Sequence, residues 1–359
     1  MTEQQVLQGI KRVCYAGLDS VTLREEVARR VARVVPSDQS HFWSLDPDTG
    51  LIHHGVSQHP SAEMLAEFVG QRYPDDEATH VIDQARAGIV IKRGVGPHMQ
   101  EMMRRAGLQH DMRALFFTPE AFWGSWCILR GPGAGFVDRE VRFLERIAPH
   151  VSEGLKSAAL QELALREPEV ADDPLGEADA TPAYLVLGPR GELVLRTAAA
   201  ARYLDDLGAV GGRIEGLLPF AVLSVRGRLL RIAADGDGVA AVARIRSSGR
   251  SGVWYSLRAT LAEPDASGQS SVVVSIEPVT RRELAPFLFR LYGLSPRERE
   301  VLLGVVRGEP TKVIAAHLGL SVHTAQDYLD HACEKVGVRG RKALVAKLFR
   351  DGFAPALSA

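Results

Sequence analysis

Polar side chains recur on one face of a predicted helix that follows Ser321 in the 359-residue chain. The face opposite the apolar positions of this helix carries His323, Gln326, Asp327 and Asp330. A glutamine amide can pair bidentately with adenine, and a carboxylate can accept a hydrogen bond from the amino group of cytosine. These residue types at this spacing are typical of a helix that reads base edges in the major groove of DNA.

Basic residues occupy the predicted helix starts and turns around that helix. They are Lys312, Arg339, Arg341 and Lys342. Side chains in such places contact phosphates and fix the register of a protein on the duplex, rather than reading sequence. Residues 294–350 contain ten Lys and Arg against six Asp and Glu, whereas the whole chain has a net charge of -1. The sequence therefore predicts a phosphate-facing segment in an otherwise acidic chain.

Local signals specify the helices that must position these side chains. Ser295 is a predicted N-cap, Pro296 occupies the first helical position, and Glu298 completes a capping box. This first helix is expected to end near Gly308. A short second helix begins at Thr311.

A tight turn is predicted between the second helix and the third. Gly319 ends the second helix, and Ser321 caps the third. Small Ala315 and Ala325 allow the two helices to cross closely, which is the steric requirement of a helix-turn-helix. We expect the apolar positions of the third helix to be buried: Val322, Ala325, Leu329, Ala332 and Val336.

These blocks resemble the LuxR-type DNA-binding domain. LSPREREVL, TKVIAAHLGLS, HTAQDYL and KVGVRGRKALVAKLF follow one another in the order and at the spacing of that family. The resemblance implies a transcriptional regulator, with a four-helix domain that binds double-stranded DNA as a homodimer and with RNA polymerase as a possible further partner. The DNA-binding residues predicted in this way are Lys312, Ser321, His323, Thr324, Gln326, Asp327, Asp330, Arg339, Arg341 and Lys342.

Three residues of this helix depart from the family pattern. Gln326 stands where Lys or Arg is usual, Tyr328 where His is frequent, and Asp330 where a basic residue is common. Acidic side chains there repel phosphates, so we expect modest affinity with a steep salt dependence, or a requirement for cooperating dimers or a partner protein. The alternative is a ligand-binding regulator that acts through protein contacts and carries a degenerate DNA-binding module.

The N-terminal segment, 1–165, resembles a GAF domain. The resemblance rests on HFWSLDPDTGL, RRAGLQHDMRALFF and AFWGSWCILRGPGAGFVDREVRFLERIAPHVSEGL. The strand predicted at 122–129 is apolar on both faces, which indicates helices on one side and a pocket or a partner on the other. Trp43, Trp123 and Trp126 are candidate contacts to an unidentified small-molecule ligand, although aromatic residues in a sheet are more often core.

Residues 183–280 resemble a PAS domain, since LVLGPRGELVLRT predicts two strands around a turn and AAAARYL a following helix. An acidic linker, 166–182, with six acids and three prolines precedes this domain. A connector, 281–293, leads to the helix-turn-helix domain, 294–359. The predicted fold class is α+β multidomain: two sheet-plus-helix sensory domains followed by an all-α four-helix domain.

Several kinds of chemistry have no residues to perform them. Between residues 181 and 290 there is neither His nor Cys to ligate haem. His53 and His54 are adjacent on a predicted strand and are expected on opposite faces, where they could not share a metal. No nucleophile elbow, carboxylate pair or metal cluster is evident, so neither enzymatic activity nor a metal or cofactor is expected.

The three cysteines are Cys14, Cys127 and Cys333, and their spacing indicates no disulfide framework. The N-terminal residues lack a signal-peptide pattern, and no apolar run reaches the roughly 18 residues of a membrane span. A cytoplasmic protein without membrane contact is therefore expected.

Overall fold

The computed structural model describes residues 2–46, 49–60, 64–65, 67–68, 83–85, 87–119, 121–164, 183–208, 210, 217–235, 242–264, 268–279, 289 and 292–350. The predicted linker, 166–182, and most of the predicted connector, 281–293, lie outside these residues. The chain divides into two compact units. One contains two antiparallel sheets with their helices and is called the sheet unit below. The other contains the C-terminal helices and is called the helical unit.

The first sheet of the sheet unit has five antiparallel strands in the order β2-β1-β5-β4-β3. Its strands are β1 Gln39–Leu45, β2 Ile52–Gln58, β3 Ile91–Arg93, β4 His110–Phe117 and β5 Phe122–Arg130. The helices of this part whose bounds the described residues give are α1 Glu3–Cys14, α2 Ser20–Val31, α3 Pro97–Arg105 and α4 Asp138–Ala164.

Strand β5 is buried on both faces, as its apolar residues on both faces predicted. On one face Trp126 stacks on Phe42 of β1, with ring centroids 5.1 Å apart. On the other face Cys127 and Leu129 line a cavity together with Trp43. The first sheet is therefore covered on both faces. It differs in this from an antiparallel sheet that exposes one face to water.

The second sheet has the strand order β7-β6-β10-β9-β8. When the strands of each sheet are numbered along the chain, the two sheets have the same order. Its strands are β6 Ala183–Leu187, β7 Leu193–Arg196, β8 Val242–Ser248, β9 Trp254–Leu261 and β10 Val272–Pro278, and its helices are α5 Ala198–Gly208 and α6 Phe220–Asp235. Helix α6 was not predicted from the sequence. Its first seven residues are all buried, so no polar face gives it a clear helical period.

The two sheets share a core, because α6 and β8 contact β2. The ring of Phe220 lies edge-on to the ring of Trp43, with centroids 5.3 Å apart. The buried Asp46 carboxylate accepts a hydrogen bond from the backbone N–H of Arg246 at 2.8 Å, and the guanidinium of Arg246 lies 3.6 Å from it. Apolar contacts and a buried ion pair thus join the two sheets. The two residues of the ion pair are 200 positions apart in the chain.

The contact between Trp43 and β2 depends on a glycine. A Cβ at Gly55 would lie 2.5 Å from the Trp43 ring and 3.5 Å from Phe220. Trp43 is only 2% exposed, so its ring has no free space into which to move. We therefore expect Gly55→Ala to lower the free energy of unfolding of the sheet unit by about 1–3 kcal/mol through overpacking.

Urea denaturation followed by circular dichroism measures this effect, and Gly9→Ala is the matched control. A Cβ at Gly9, inside α1, would make only ordinary contact, 3.5 Å from Arg30. Gly9→Ala should leave stability equal or raised, because alanine favours the helix. Equal stability of both variants would contradict the close packing at Gly55.

Within residues 292–350 the helical unit contains four helices: α7 Pro296–Val306, α8 Thr311–Leu318, α9 Val322–Val336 and α10 Gly340–Arg350. The capping box at Ser295 and Glu298 is present, as predicted, and the Ser321 hydroxyl accepts a hydrogen bond from the Thr324 N–H. Gly319 has a φ of 64°, which favours glycine and ends α8 where the sequence indicated.

Small residues let these helices cross closely. Ala315 and Ala325 are buried at 1% and 0% exposure. Gly304 of α7 was not singled out in the sequence, yet a Cβ there would lie 2.6 Å from the Ile314 side chain. The predicted burial of Val322 is wrong, since 50% of that residue is exposed. Val322 is the first residue of α9, at the end of the helix face that is buried from Ala325 onward.

No helix in the described part of the chain is both long enough and apolar enough to cross a bilayer.

Candidate nucleic-acid interface

The predicted reading face of α9 is exposed along its whole length. His323, Gln326, Asp327 and Asp330 all lie at the surface. The amide Nε2 of Gln326 donates a hydrogen bond to Oδ1 of Asp330 at 3.0 Å. His323 Nε2 lies 3.8 Å from Asp327 Oδ2. The four side chains thus form two pairs. In each pair an acid lies one helical turn after its partner.

The start of α9 is held by a cap that also engages two of the predicted contact residues. Ser321 Oγ accepts a hydrogen bond from the Thr324 N–H at 3.0 Å and lies 2.8 Å from Thr324 Oγ1. The first turn of the helix is therefore fixed while Ser321 stays exposed. An ordered first turn is what a helix needs when its N-terminal residues enter a groove.

The four predicted phosphate contacts divide into two groups. Lys312, Arg339 and Lys342 are exposed. Arg341 is half-buried, and its guanidinium donates hydrogen bonds to the carbonyl oxygens of Glu309 at 2.6 Å and Val305 at 3.3 Å. Arg341 thus connects the start of α10 to the turn between α7 and α8, a structural role that the sequence did not predict.

A buried carboxylate connects α7 to α9. Lys335 Nζ donates hydrogen bonds to Glu298 Oε2 at 2.8 Å and to the Gly293 carbonyl at 2.9 Å. Burial alone would raise the pKa of Glu298, but the hydrogen bonds from Lys335 and the Ser295 N–H lower it below its ordinary value. The sequence predicted only the capping role of Glu298, because Lys335 lies 37 residues away.

Lys335→Met should therefore destabilise the helical unit. The substitution leaves the 5% exposed Glu298 side chain without its cation, whereas Lys335 itself is 39% exposed and partly screened by water. We expect the free energy of unfolding to fall by about 1–2 kcal/mol. Thermal unfolding of the full chain measures this loss. Lys342→Met is the control, since its exposed side chain should leave stability unchanged; equal stability of the two variants would contradict a supporting role for Lys335.

The three predicted ligand-binding tryptophans do not converge on one cavity. Trp43 lines a cavity of about 20 Å³ in the sheet unit, beside Phe68 and His41. Trp123 is buried elsewhere and donates its Nε1–H to Thr118 Oγ1 at 3.1 Å, and Trp126 lies on the opposite face of the sheet. About one water molecule fills such a volume, so this cavity is too small in the structure to hold a ligand.

The expectation that His53 and His54 point to opposite faces is wrong. His54 lies opposite Ser44 and Ile52 opposite Leu45, so that His53 is an extra residue in a β-bulge. The bulge brings the two imidazole rings to 4.5 Å between centroids. Their burial, and secondarily nearby positive charge, lowers the pKa of His54 to about 3 and that of His53 well below its ordinary value.

No group of three metal-ligating side chains occurs in the described ranges. His53 and His54 instead line a second cavity of the sheet unit, of about 100 Å³, together with residues of the second sheet and its helices. Neither this cavity nor its residues was predicted, because a bulge has no reliable sequence signal and the other residues are more than 140 positions away.

Comparison with known proteins decides the family. Residues 293–348 match the model described as GerE, bacterial regulatory proteins, luxR family. Over 59 residues the chain is 41% identical to the spore germination protein GerE of Bacillus subtilis (strain 168), a stretch that covers 16% of this chain and 80% of GerE. The chain belongs to the LuxR family of bacterial regulatory proteins. This family membership confirms the predicted LuxR-type DNA-binding domain, and LuxR proteins are regulators of transcription rather than enzymes.

Solved structures give weaker similarities. A GAF domain from a cyanobacterial phytochrome aligns with a TM-score of 0.35 and 15% identity, over 45% of this chain and 98% of its own. Escherichia coli SdiA aligns with a TM-score of 0.29 and 10% identity, over 98% and 97%. Vibrio cholerae VqmA, described as a LuxR-type receptor, aligns with a TM-score of 0.22 and 16% identity, over 48% and 83%. At such TM-scores these similarities support no conclusion about this LuxR-family chain.

Proposed function

We propose that this LuxR-family regulator binds promoter DNA as a homodimer, with α9 in the major groove. The observation that supports this most directly is the exposed face of α9, with His323 and Gln326 on a helix whose start is fixed by the Ser321 cap. Lys312, Arg339 and Lys342 are exposed and would contact phosphates on either side of that face.

We further propose that the sheet unit is the sensory part of the regulator. Residues 1–165 would form a GAF-like domain and 183–280 a PAS-like domain. The shared core at Trp43 and Phe220 supports this role, since a ligand that moves one sheet would also move the other. Such a protein would work in the cytoplasm and act on RNA polymerase at the promoter.

Binding of the full chain to the promoter of its own gene tests the DNA-binding function. Fluorescence anisotropy with a labelled duplex should show affinity that falls steeply as salt rises. Three exposed cations in each of two protomers predict a slope of about -5 in log K against log salt, at roughly -0.9 per neutralised phosphate. Absence of salt-dependent binding to this and to other promoter duplexes would overturn the proposal.

A second candidate function is regulation through protein contacts, with the helical unit unable to bind DNA alone. The hydrogen bond between Gln326 and Asp330 favours it, because the amide that would read adenine is engaged within the helix. Asp327 and Asp330 also place two negative charges where phosphates would approach. Changing the charge of Asp330 distinguishes the two functions.

A further inference from the structure

A cavity of about 100 Å³ in the sheet unit lies where residues of both sheets meet. The first sheet contributes His53 and His54 from the bulge in β2. The second contributes Arg196 at the end of β7, and Asp205 from α5. Its remaining wall is mainly apolar and includes Leu204, Leu207, Leu217, Leu218, Pro219 and Phe220. The lining is therefore mixed, and in such a site a few polar groups fix the orientation of a small molecule beside apolar walls.

The two histidines of this cavity differ in their hydrogen bonds. His54 Nε2 lies 3.2 Å from Ser248 Oγ and 3.3 Å from Ser247 Oγ. His53 is only 8% exposed, and its Nδ1 has no hydrogen-bond partner in the described part of the chain. A buried polar atom without a partner is unfavourable unless something else completes its hydrogen bond. His53 therefore brings to this cavity a buried ring nitrogen whose hydrogen bond a ligand atom would complete.

The other polar groups of the cavity restrict what that ligand is. Arg196 is exposed at the cavity, and a guanidinium binds a carboxylate through two parallel hydrogen bonds. The Asp205 carboxylate disfavours a second anionic group and favours a hydrogen-bond donor. The volume is smaller than the cavity of roughly 150 Å³ that holds benzene in an engineered protein, so about four to six non-hydrogen atoms fit.

We propose that this cavity binds a short carboxylic acid of two or three carbons that carries one hydroxyl or amino group. Its carboxylate would pair with Arg196, its second polar group would lie between His53 and Asp205, and its carbon atoms would contact Leu204 and Phe220. As a signal site this rests on the proposed regulatory function, because the ligand would act on the core shared by the two sheets. Phe220 provides the route, since it lines the cavity and also contacts Trp43.

Calorimetric unfolding of the full chain tests the site, with L-lactate and L-alanine as probes and L-lactamide as the uncharged control. Sodium chloride keeps ionic strength equal in all samples. At a saturating concentration we expect at least one of the two acids to raise the Tm of the sheet unit by about 2–5 °C, and lactamide to leave it unchanged. Equal Tm values with and without both acids would overturn the proposal, as would an equal rise with lactamide.

Two arginine variants separate this site from general anion effects. Arg196→Met should weaken binding of the active acid by about 10- to 100-fold, which is the loss of a charge-assisted pair. Arg190→Met is the matched control, because Arg190 is exposed in the turn between β6 and β7 and does not line the cavity. An unchanged affinity in Arg196→Met, or equal losses in both variants, would overturn the assignment.

Promoter binding measured on the same samples keeps the two proposals distinguishable. DNA binding without any effect of the acids on Tm would leave the regulatory function intact and overturn the cavity site. A rise in Tm that depends on Arg196, in a protein that binds no DNA, would support the cavity site and overturn the DNA-binding function.

Discussion

Asp330→Lys is expected to strengthen the binding of the full chain to duplex DNA about 10-fold per recognition helix, and about 100-fold for a dimer, at 0.1 M salt. Asp330 is exposed on the reading face of α9, where its carboxylate repels the phosphates and holds the Gln326 amide. The substitution removes that repulsion, frees the amide and adds a cation that releases a counterion on binding. The salt slope should become steeper by roughly 0.9 for each helix.

Fluorescence anisotropy at several salt concentrations measures both quantities. Glu145→Lys makes the same change in net charge at an exposed position of α4, in the sheet unit, and should change affinity far less. A protein that regulates only through protein contacts would show no gain with Asp330→Lys. An equal gain in the two variants would mean that net charge, rather than the α9 face, determines binding.

The second large effect is acid destabilisation of the sheet unit by three buried histidines. Burial lowers the pKa of His41 to about 4 and of His54 to about 3, and that of His53 well below its ordinary value of 6.5. The unfolded chain binds protons at these histidines below about pH 6.5, whereas the folded sheet unit does not until about pH 4 or lower. The contribution of these neutral histidines to the free energy of unfolding is therefore fully present above pH 6.5, and it is lost as pH falls toward 4.

The slope of this loss approaches about 1.4 kcal/mol per pH unit for each histidine, or about 4 kcal/mol per unit for all three. Such a slope exhausts the stability of an ordinary domain within two or three pH units. Asp46 acts in the opposite sense, because burial raises the pKa of its carboxyl despite the nearby Arg246. As pH falls, the folded Asp46 carboxyl binds a proton before the unfolded one does, which opposes part of the loss.

Urea unfolding at several pH values between 7 and 5 measures the slope. His54→Gln should remove about a third of it, whatever the variant does to stability at pH 7. His323→Asn is the control, because that side chain is 88% exposed and should leave the slope unchanged. A stability that does not vary between pH 6.5 and 5 would mean that the three rings titrate as they do in water.

Signals that act over a few residues made much of this architecture predictable. The capping box at Ser295, the left-handed Gly319 and the cap at Ser321 each fix a helix end through local hydrogen bonds, and the structure has all three. Strands β6, β8 and β10 also alternate in burial, whereas β7 is exposed throughout. The reading face of α9 could be predicted for the same reason, since helical spacing alone places Gln326 and Asp330 together.

Features that depend on distant residues could not be predicted in this way. Lys335 meets Glu298 only because α7 and α9 cross, and Arg341 reaches the carbonyl of Glu309 only because α10 returns to the α7–α8 turn. The bulge at His53 is set by its pairing with β1, which reverses the face expected from simple alternation. The 100 Å³ cavity combines these effects, so its residues carry no common sequence pattern.

The placement of Trp43 in the core shared by the two sheets also determines how this protein can be observed. All four tryptophans, Trp43, Trp123, Trp126 and Trp254, belong to the sheet unit, whereas the helical unit contains tyrosines such as Tyr328 but no tryptophan. Light absorbed at 295 nm, where tyrosine is nearly transparent, therefore excites only the sheet unit. An emission change when duplex DNA is added would report a signal received by the sheet unit from the helical unit, without any label.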